Sequence, residues 1–225
     1  MLVGRGCRQA RKWVLKESCS DYWRFRRKLE KQLPVPFYKK GAKVCISDIN
    51  EKQGKVVLKK LQSEFSENDV IFLRCDVGDE KDFEDCYNAT EAQLGTIDIL
   101  CNNAGILSTD YDSTMRINVE AVVKGTEFAL KRMGKHKGGK GGFIVNTGSI
   151  MGLFQNASTP LYSTSKAFVI HYSRDVGFIR APKHKPEDLA KAFVQIIEDK
   201  KPGSVLLSEK GQPNRYIPPS VSHDF

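Results

Sequence analysis

Three side chains between residues 149 and 166 have the types and the spacing needed to move a proton. Tyr162 and Lys166 stand four residues apart, so on a helix they share one face. A tyrosine hydroxyl titrates near ~10, but a nearby ammonium group favours the phenolate and lowers the pKa. The hydroxyl of Ser149 could hold a substrate oxygen in hydrogen-bonding reach. The three groups together predict proton abstraction from an alcohol while a hydride leaves its carbon.

Further motifs accompany this triplet in a fixed order. The sequence CNNAGI at 101–106 follows an apolar run, Asn118 lies in the next helical segment, and Ser149 precedes Tyr162 by thirteen residues. A Tyr-x-x-x-Lys pair alone occurs by chance in many helices. The ordered set, however, resembles the short-chain dehydrogenase/reductase family, in which Asn-Asn-Ala-Gly, a helical Asn, a Ser and Tyr-x-x-x-Lys recur in that order.

The resemblance spans residues 39–177 and 186–216 and implies NAD-dependent oxidation of a secondary alcohol. It implies that Tyr162 is the general base and that Ser149 orients the carbinol. Lys166 would lower the pKa of the tyrosine and hold the nicotinamide ribose. The resemblance also assigns Asn118 to a proton relay. The positions expected to act in catalysis or to contact substrate are Ser149, Tyr162, Lys166, Asn118 and Thr159.

The residue that ends the first clear strand indicates which cofactor is used. Asp48 stands there, and in dinucleotide-binding folds an acidic residue at this point hydrogen-bonds the adenine ribose hydroxyls. Its carboxylate repels a 2′-phosphate, which favours NAD over NADP. Asp48 could equally cap the helix that begins near Asn50, and both roles are compatible. By resemblance, the cofactor-binding positions are Asp48, Asp76, Val77, Asn102, Ala104, Gly105, Tyr162 and Lys166.

The glycines that cradle a pyrophosphate are missing from their expected place. The dinucleotide fold needs closely spaced glycines after a strand, roughly 20 residues before the acidic residue. Residues 20–30 contain no glycine, and Gly4 and Gly6 lie more than forty residues before Asp48. The sequence therefore predicts that the family's first strand and glycine loop are absent. Alternatively, residues 13–15 occupy the vacant strand position without supplying the loop.

A second departure follows the predicted catalytic helix. The family continues with a strand and a Pro-Gly turn that leads into a substrate loop, whereas here Gly177 runs directly to a helix starting at Pro186. The resemblance therefore implies lost contacts to the nicotinamide amide and a poorly specified substrate. We expect the activity of this chain to be impaired.

Strand-like and helical segments alternate between these motifs. The alternation predicts a parallel sheet covered on both faces, which is an α/β, Rossmann-type doubly wound fold and here an incomplete one. Short apolar runs predict strands at 42–47, 70–74, 97–102, 141–147 and 204–208. Helical spacing predicts helices at 21–33, 50–66, 79–94, 112–134, 161–176 and 186–199.

The positive charge is concentrated at the N-terminus. Residues 1–40 hold twelve Lys/Arg and three Asp/Glu, whereas the rest of the chain holds 24 of each. We therefore divide the sequence into a basic N-terminal extension, residues 1–38, and a truncated dehydrogenase-like domain, residues 39–225. The extension could be a mitochondrial presequence, a contact with an anionic surface, or a solvated arm without such a role, and we favour the last.

Composition narrows the compartment and the partners. No run of eighteen apolar residues exists, so no membrane span is expected. The six cysteines form no C-x-x-C pair and no zinc spacing, which favours a reducing compartment, the cytoplasm, and no metal site. We expect a small alcohol or ketone substrate, no nucleic acid, and a homodimer through helices 112–134 and 161–176. The alternative function is an inactive remnant that associates with full-length relatives through the same helices.

Overall fold

Five parallel strands form the central sheet, in the order β3-β2-β1-β4-β5. The computed structural model describes residues 12–17, 42–64, 67–153, 157–176, 194–199, 205–207 and 214–217. The strands of this sheet are β1 Lys12–Glu17, β2 Lys43–Asp48, β3 Val70–Arg74, β4 Ile99–Asn102 and β5 Phe143–Asn146. The predicted Rossmann-type architecture is therefore confirmed.

Helices connect the consecutive strands from β2 to β5, as the alternation predicts. They are α1 Glu51–Glu64, α2 Glu80–Leu94, α3 Tyr111–Met115, α4 Ala121–Met133, α5 Pro160–Val176 and α6, residues 194–199. Short 3₁₀ turns cover Glu67–Asp69, Lys135–Lys137 and Ile150–Gly152. The helix predicted at 112–134 is present and runs without a break from Tyr111 to Met133, with a π-helical turn, Arg116–Glu120, between α3 and α4. Within the described part of the chain, no helix is both long and apolar enough to cross a bilayer.

Helices pack on both faces of the sheet, which is why the strands β2 to β5 are mostly apolar. Successive strand residues point to opposite faces. Ile99 and Cys101 pack in the cluster that includes Val57 of α1, whereas Leu100 packs in the cluster that includes Phe83 of α2. Helices therefore cover the sheet on both sides and leave its carboxyl-end edge for polar side chains.

Strand β1 corrects one expectation about the N-terminal segment. The position of the family's first strand is not vacant, because Lys12–Glu17 lies between β2 and β4 and pairs in parallel with both. The prediction that the first strand is absent is therefore wrong, and the alternative, in which residues 13–15 occupy its position, is confirmed. Each neighbouring strand thus gains a backbone partner. The segment that follows β1, including the helix predicted at 21–33, lies outside the described residues, and the domain boundary at residue 38 stays a prediction.

The C-terminal region differs from the predicted pattern. The predicted strand at 204–208 is β6, Val205–Leu207, but it pairs antiparallel with an unpredicted strand, β7, Arg215–Ile217. These two strands form a separate small sheet, so β6 does not extend the parallel one. Only the end of the predicted helix 186–199 is described, as α6. The junction near Gly177 lies outside the described residues.

Candidate active site

The amine of Lys166 is buried and held at the carboxyl-end edge of the sheet. Lys166 is 3% exposed, and its Nζ donates a 2.8 Å hydrogen bond to the carbonyl oxygen of Thr147, directly after β5. The same Nζ lies 5.9 Å from the centre of the Tyr162 ring. Because a buried ammonium needs compensating oxygens, the Thr147 carbonyl fixes the charge beside the tyrosine. The pairing that the sequence spacing predicts is therefore present, with Tyr162 half-buried.

Ser149 is placed by a short turn that packs directly against α5. Ser149 caps the 3₁₀ turn Ile150–Gly152, and its Oγ accepts the backbone N–H of Met151 at 3.2 Å. Gly152 lies against the α5 backbone, where a Cβ would stand 2.6 Å from the carbonyl carbon of Lys166. Such a contact is far below van der Waals distance, so only glycine permits this approach. The turn thus brings Ser149 to the helix that carries Tyr162.

Asn118 lies at the centre of a fully buried set of hydrogen bonds. Its Oδ1 accepts the N–H of Ile106 at 2.7 Å, and its Nδ2 donates to the Ile106 carbonyl at 2.9 Å and to Ser165 Oγ at 3.0 Å. One carboxamide therefore ties the loop after β4 to α5. Gly105 completes the arrangement, since a Cβ there would stand 3.1 Å from Lys166 Nζ and 3.2 Å from Asn118 Oδ1.

Asp48 lies at the same edge of the sheet, at the end of β2. It is 7% exposed, and its Oδ1 accepts the backbone N–H of Asn50 at 2.7 Å. Asn50 itself caps the following helix by accepting the N–H of Gln53 at 3.0 Å. Asp48 therefore shapes the turn, while the capping role belongs to Asn50. The backbone of the β2 end also meets the β3 end, because Cys75 N–H donates to the Asp48 carbonyl at 3.1 Å.

The loop after β3 places Asp76 and Val77 beside the loop after β4. Asp76 Oδ1 accepts the N–H of Gly78 at 2.9 Å, and Oδ2 lies 3.4 Å from Nη1 of Arg116. Val77 packs with Ala104 in a small apolar cluster. A shallow depression, open to solvent, adjoins this cluster and is lined by Val77, Asn102, Ala104, Ile117, Ala121 and Val122.

Two of the predicted site residues have side chains with partners inside the protein. The amide of Asn102 is buried and donates to Asn146 Oδ1 at 2.9 Å and to Thr126 Oγ1 at 3.3 Å, so its side chain braces the interior between β4, β5 and α4. Thr159 precedes α5, where its carbonyl accepts the Ser163 N–H at 2.9 Å and its hydroxyl lies 3.7 Å from the sulfur of Met151.

The sequence did not predict the roles of three residues that position the site. Thr147 joins two loops, because its carbonyl holds Lys166 and its hydroxyl donates to Asn103 Oδ1 at 2.8 Å. Ser165 receives the Asn118 amide. Arg116 pairs with the loop after β3. Only Thr147 offers a sequence signal, since it directly follows a predicted strand at the edge where ligands bind in such folds.

The family of the chain is established by sequence and fold together. The sequence profile described as short chain dehydrogenase matches residues 31–184. The chain therefore belongs to the short-chain dehydrogenase family.

Curated relatives and solved structures agree with this membership. The rat 15-hydroxyprostaglandin dehydrogenase [NAD(+)] is 37% identical over 135 residues, which are 60% of this chain and 51% of the rat protein. The human protein of the same name is 35% identical over 136 residues, which are 60% of this chain and 51% of the human protein. The chain thus spans about half the length of the curated relatives it matches. The structure of 3-ketoacyl-(acyl-carrier-protein) reductase from Brucella melitensis, complexed with NADH, superposes with a TM-score of 0.75 at 18% identity, covering 89% of this chain and 97% of that one, which shows the shared fold.

Proposed function

We propose that the chain is an NAD-dependent oxidoreductase acting on the CH–OH group of a secondary alcohol. The observation that carries the proposal is the buried Lys166 ammonium, fixed by the Thr147 carbonyl beside the ring of Tyr162. An adjacent cation stabilises a phenolate. Tyr162 then takes the proton from the substrate hydroxyl as general base.

Ser149 and Asn118 support this proton transfer in different ways. We assign Ser149 to orienting the carbinol oxygen, because its turn packs on the helix that carries Tyr162. Asn118 holds the loop after β4 against the same helix through Ile106 and Ser165, which fixes the backbone around a proton relay. Thr159 stands at the start of the helix and is assigned to substrate contact.

The residues at the sheet edge fit the adenosine and nicotinamide-ribose parts of NAD. Asp48 would hold the adenine ribose, Asp76 and Val77 the adenine, and Lys166 the nicotinamide ribose. A side chain at Gly105 would fill the space beside Lys166 and Asn118 in which the cofactor would approach the backbone. The backbone from Asn102 through Ala104 leads to this point. When bound, NAD supplies the acceptor for the hydride that leaves the alcohol carbon. The carboxylate of Asp48 favours NAD over NADP, as in the relatives whose name specifies NAD(+).

The pyrophosphate is the part of NAD for which the fit fails. The sequence from Ser18 to Lys40 contains no glycine, so the segment that follows β1 in the sequence cannot offer closely spaced glycine N–H groups. Hydrogen bonds to charged groups are worth roughly 1.5–3 kcal/mol each. Losing two or three would weaken NAD binding by several orders of magnitude at ~1.4 kcal/mol per tenfold. We therefore propose that this chain works poorly as an enzyme on its own.

The substrate is proposed as a class, a small-molecule alcohol or its ketone. The mammalian relatives are named for a hydroxyprostaglandin, and a Comamonas testosteroni relative, 34% identical over 143 residues, is named 3-beta-hydroxysteroid dehydrogenase. Both names describe a secondary alcohol on a largely apolar molecule. A hydroxyprostaglandin is therefore the first substrate to test, with a hydroxysteroid as the comparison.

A pair of tyrosine variants tests the catalytic proposal. NADH formation from a secondary alcohol at millimolar NAD should vanish in Tyr162→Phe while the fold stays intact. Tyr172→Phe is the matched control, because Tyr172 lies on the same helix and is also half-buried. The control should keep the parent rate. If Tyr162→Phe also kept that rate, the general-base assignment would be wrong.

The alternative function, association with relatives, is favoured by one surface feature. Phe168 of α5 is 42% exposed and stacks on Tyr172 with ring centres 5.7 Å apart. We propose that this helix face, with the α3–α4 segment, pairs with a second copy to form a homodimer. The same face would bind a full-length relative if the chain is inactive. Phe168→Glu should reduce the dimer in analytical ultracentrifugation, and an unchanged mass would reject this interface.

We propose the cytoplasm as the compartment. Cys45, Cys75, Cys86 and Cys101 are all buried and form no disulfide within the described residues, which suits a reducing environment. The mitochondrial alternative rests on the arginine-rich N-terminus. Fluorescence microscopy of the chain with a C-terminal tag distinguishes the two.

A further inference from the structure

We propose that Arg116 is a positioning residue that fixes the loop 76–78 as one wall of the adenine-binding part of the site. This inference rests on the dinucleotide binding proposed above. It adds a residue outside every motif that the sequence analysis uses. Arg116 is the first residue of the π-helical turn, and its guanidinium Nη1 lies 3.4 Å from Asp76 Oδ2.

Arg116 covers the loop as well as pairing with it. A Cβ built on Gly78 would stand 2.7 Å from Cζ and 3.1 Å from Cγ of Arg116, so the arginine side chain lies against the bare backbone of the glycine. The side chain of Arg116 is 45% exposed and that of Asp76 is 21% exposed. The guanidinium therefore shields one side of the loop while remaining at the surface of the site.

The loop beneath the guanidinium is already organised by its own hydrogen bonds. Asp76 Oδ1 accepts the N–H of Gly78 at 2.9 Å, and the Asp76 carbonyl accepts the N–H of Asp79 at 3.1 Å. The N–H of Asp76 donates to Asp82 Oδ2 at 2.8 Å. Arg116 adds an ion pair that ties this loop to the segment after β4, because its partner carboxylate belongs to the loop and its own backbone belongs to the π-helical turn.

The π-helical turn directs three consecutive side chains to three parts of the site. Arg116 meets the loop after β3, Ile117 packs with Val77 and lines the shallow depression, and Asn118 holds the loop after β4. Isolated π-helical turns occur frequently at functional sites. Replacing Arg116 should therefore disturb the adenine end of the site and leave the nicotinamide end in place.

Binding of cofactor fragments tests the inference. In the full chain, Arg116→Gln should weaken AMP binding by about threefold to fivefold, the range for a partly exposed ion pair. Binding of nicotinamide mononucleotide should stay unchanged, and Arg116→Lys should recover part of the AMP affinity. Lys124→Gln is the control, since Lys124 lies on the same helical run and pairs with Glu80 at 3.2 Å.

Several results would overturn the inference while leaving the proposed function intact. They are an unchanged AMP affinity in Arg116→Gln, an equal loss for both fragments, or an equal loss in Lys124→Gln. If the parent chain binds neither fragment, the proposed function fails. In that case, hydrogen exchange of the Asp76, Gly78 and Asp79 amides still tests whether Arg116 positions the loop, because this measurement needs no ligand. Arg116→Gln should speed their exchange by about threefold to fivefold relative to Lys124→Gln, and unchanged exchange would refute it.

Discussion

Replacing Asn118 with alanine removes the side chain that joins the loop after β4 to α5 at the candidate active site. The carboxamide is completely buried and bonds both polar groups of the Ile106 backbone, with Ser165 as a third partner. Asn118→Ala leaves the N–H and the carbonyl of Ile106 without these partners. Ile106 is itself only 5% exposed, so water reaches its backbone poorly.

The structure sets the size of the expected loss. A buried donor or acceptor left without a partner costs roughly 1–3 kcal/mol. Two orphaned backbone groups therefore predict a fall of about 2–6 kcal/mol in the free energy of unfolding, which is large for a single substitution. Turnover should fall as well, because the loop carrying Gly105 is released from α5 and a displacement near 1 Å costs about 10²-fold in rate.

Urea unfolding followed by circular dichroism measures this loss. Asn88→Ala is the matched control, because Asn88 is exposed and its side chain only accepts a 3.2 Å bond from Arg132. The control should stay within about 0.5 kcal/mol of the parent. A cost below about 1 kcal/mol for Asn118→Ala, or an equal cost for the control, would refute the view that Asn118 organises the site.

Three further substitutions probe the remaining parts of the account. Gly152→Ala should lower stability by about 1–3 kcal/mol and turnover by about 10²-fold, because the new Cβ meets the α5 backbone. Gly138→Ala is the control, because Gly138 lies in a remote turn with φ +84° and open space around it. This variant should lose stability but keep the parent turnover. Equal turnover in the two variants would show that the contact of Gly152 with α5 does not matter for turnover. Asp48→Ala should narrow the preference for NAD over NADP in competition binding, and a parent chain that binds both equally would disprove the role of Asp48. Lys166→Ala should raise the pH at which residual alcohol oxidation appears, whereas an unmoved pH–rate profile would show that its ammonium does not act on Tyr162.

Local patterns predict most of the sheet and the catalytic helix. The run Val70–Arg74 is a strand with the predicted bounds, and the four-residue spacing of Tyr162 and Lys166 does place the ammonium beside the ring. These features depend on short-range periodicity, which a sequence displays directly.

The features that the sequence does not reveal depend on contacts between distant segments. The strand β1 has only three apolar residues between charged ones, and its place is decided by pairing with β2 and β4. The π-helical turn is invisible because Arg116–Glu120 has ordinary helical composition. Asn102 belongs to the Asn-Asn-Ala-Gly motif of the family, yet its hydrogen-bond partners on β5 and α4 determine where its side-chain amide points.

Calorimetric titration of AMP and of NAD into the purified chain tests the central claim most directly. We propose that the adenosine and catalytic parts of the site are formed and that the pyrophosphate part is deficient. Both ligands should therefore bind weakly, with NAD no more than about tenfold tighter than AMP, a difference of ~1.4 kcal/mol. Micromolar binding of NAD with far weaker binding of AMP would contradict the account, because the pyrophosphate would then be held firmly. Binding of neither ligand would contradict the adenosine site itself.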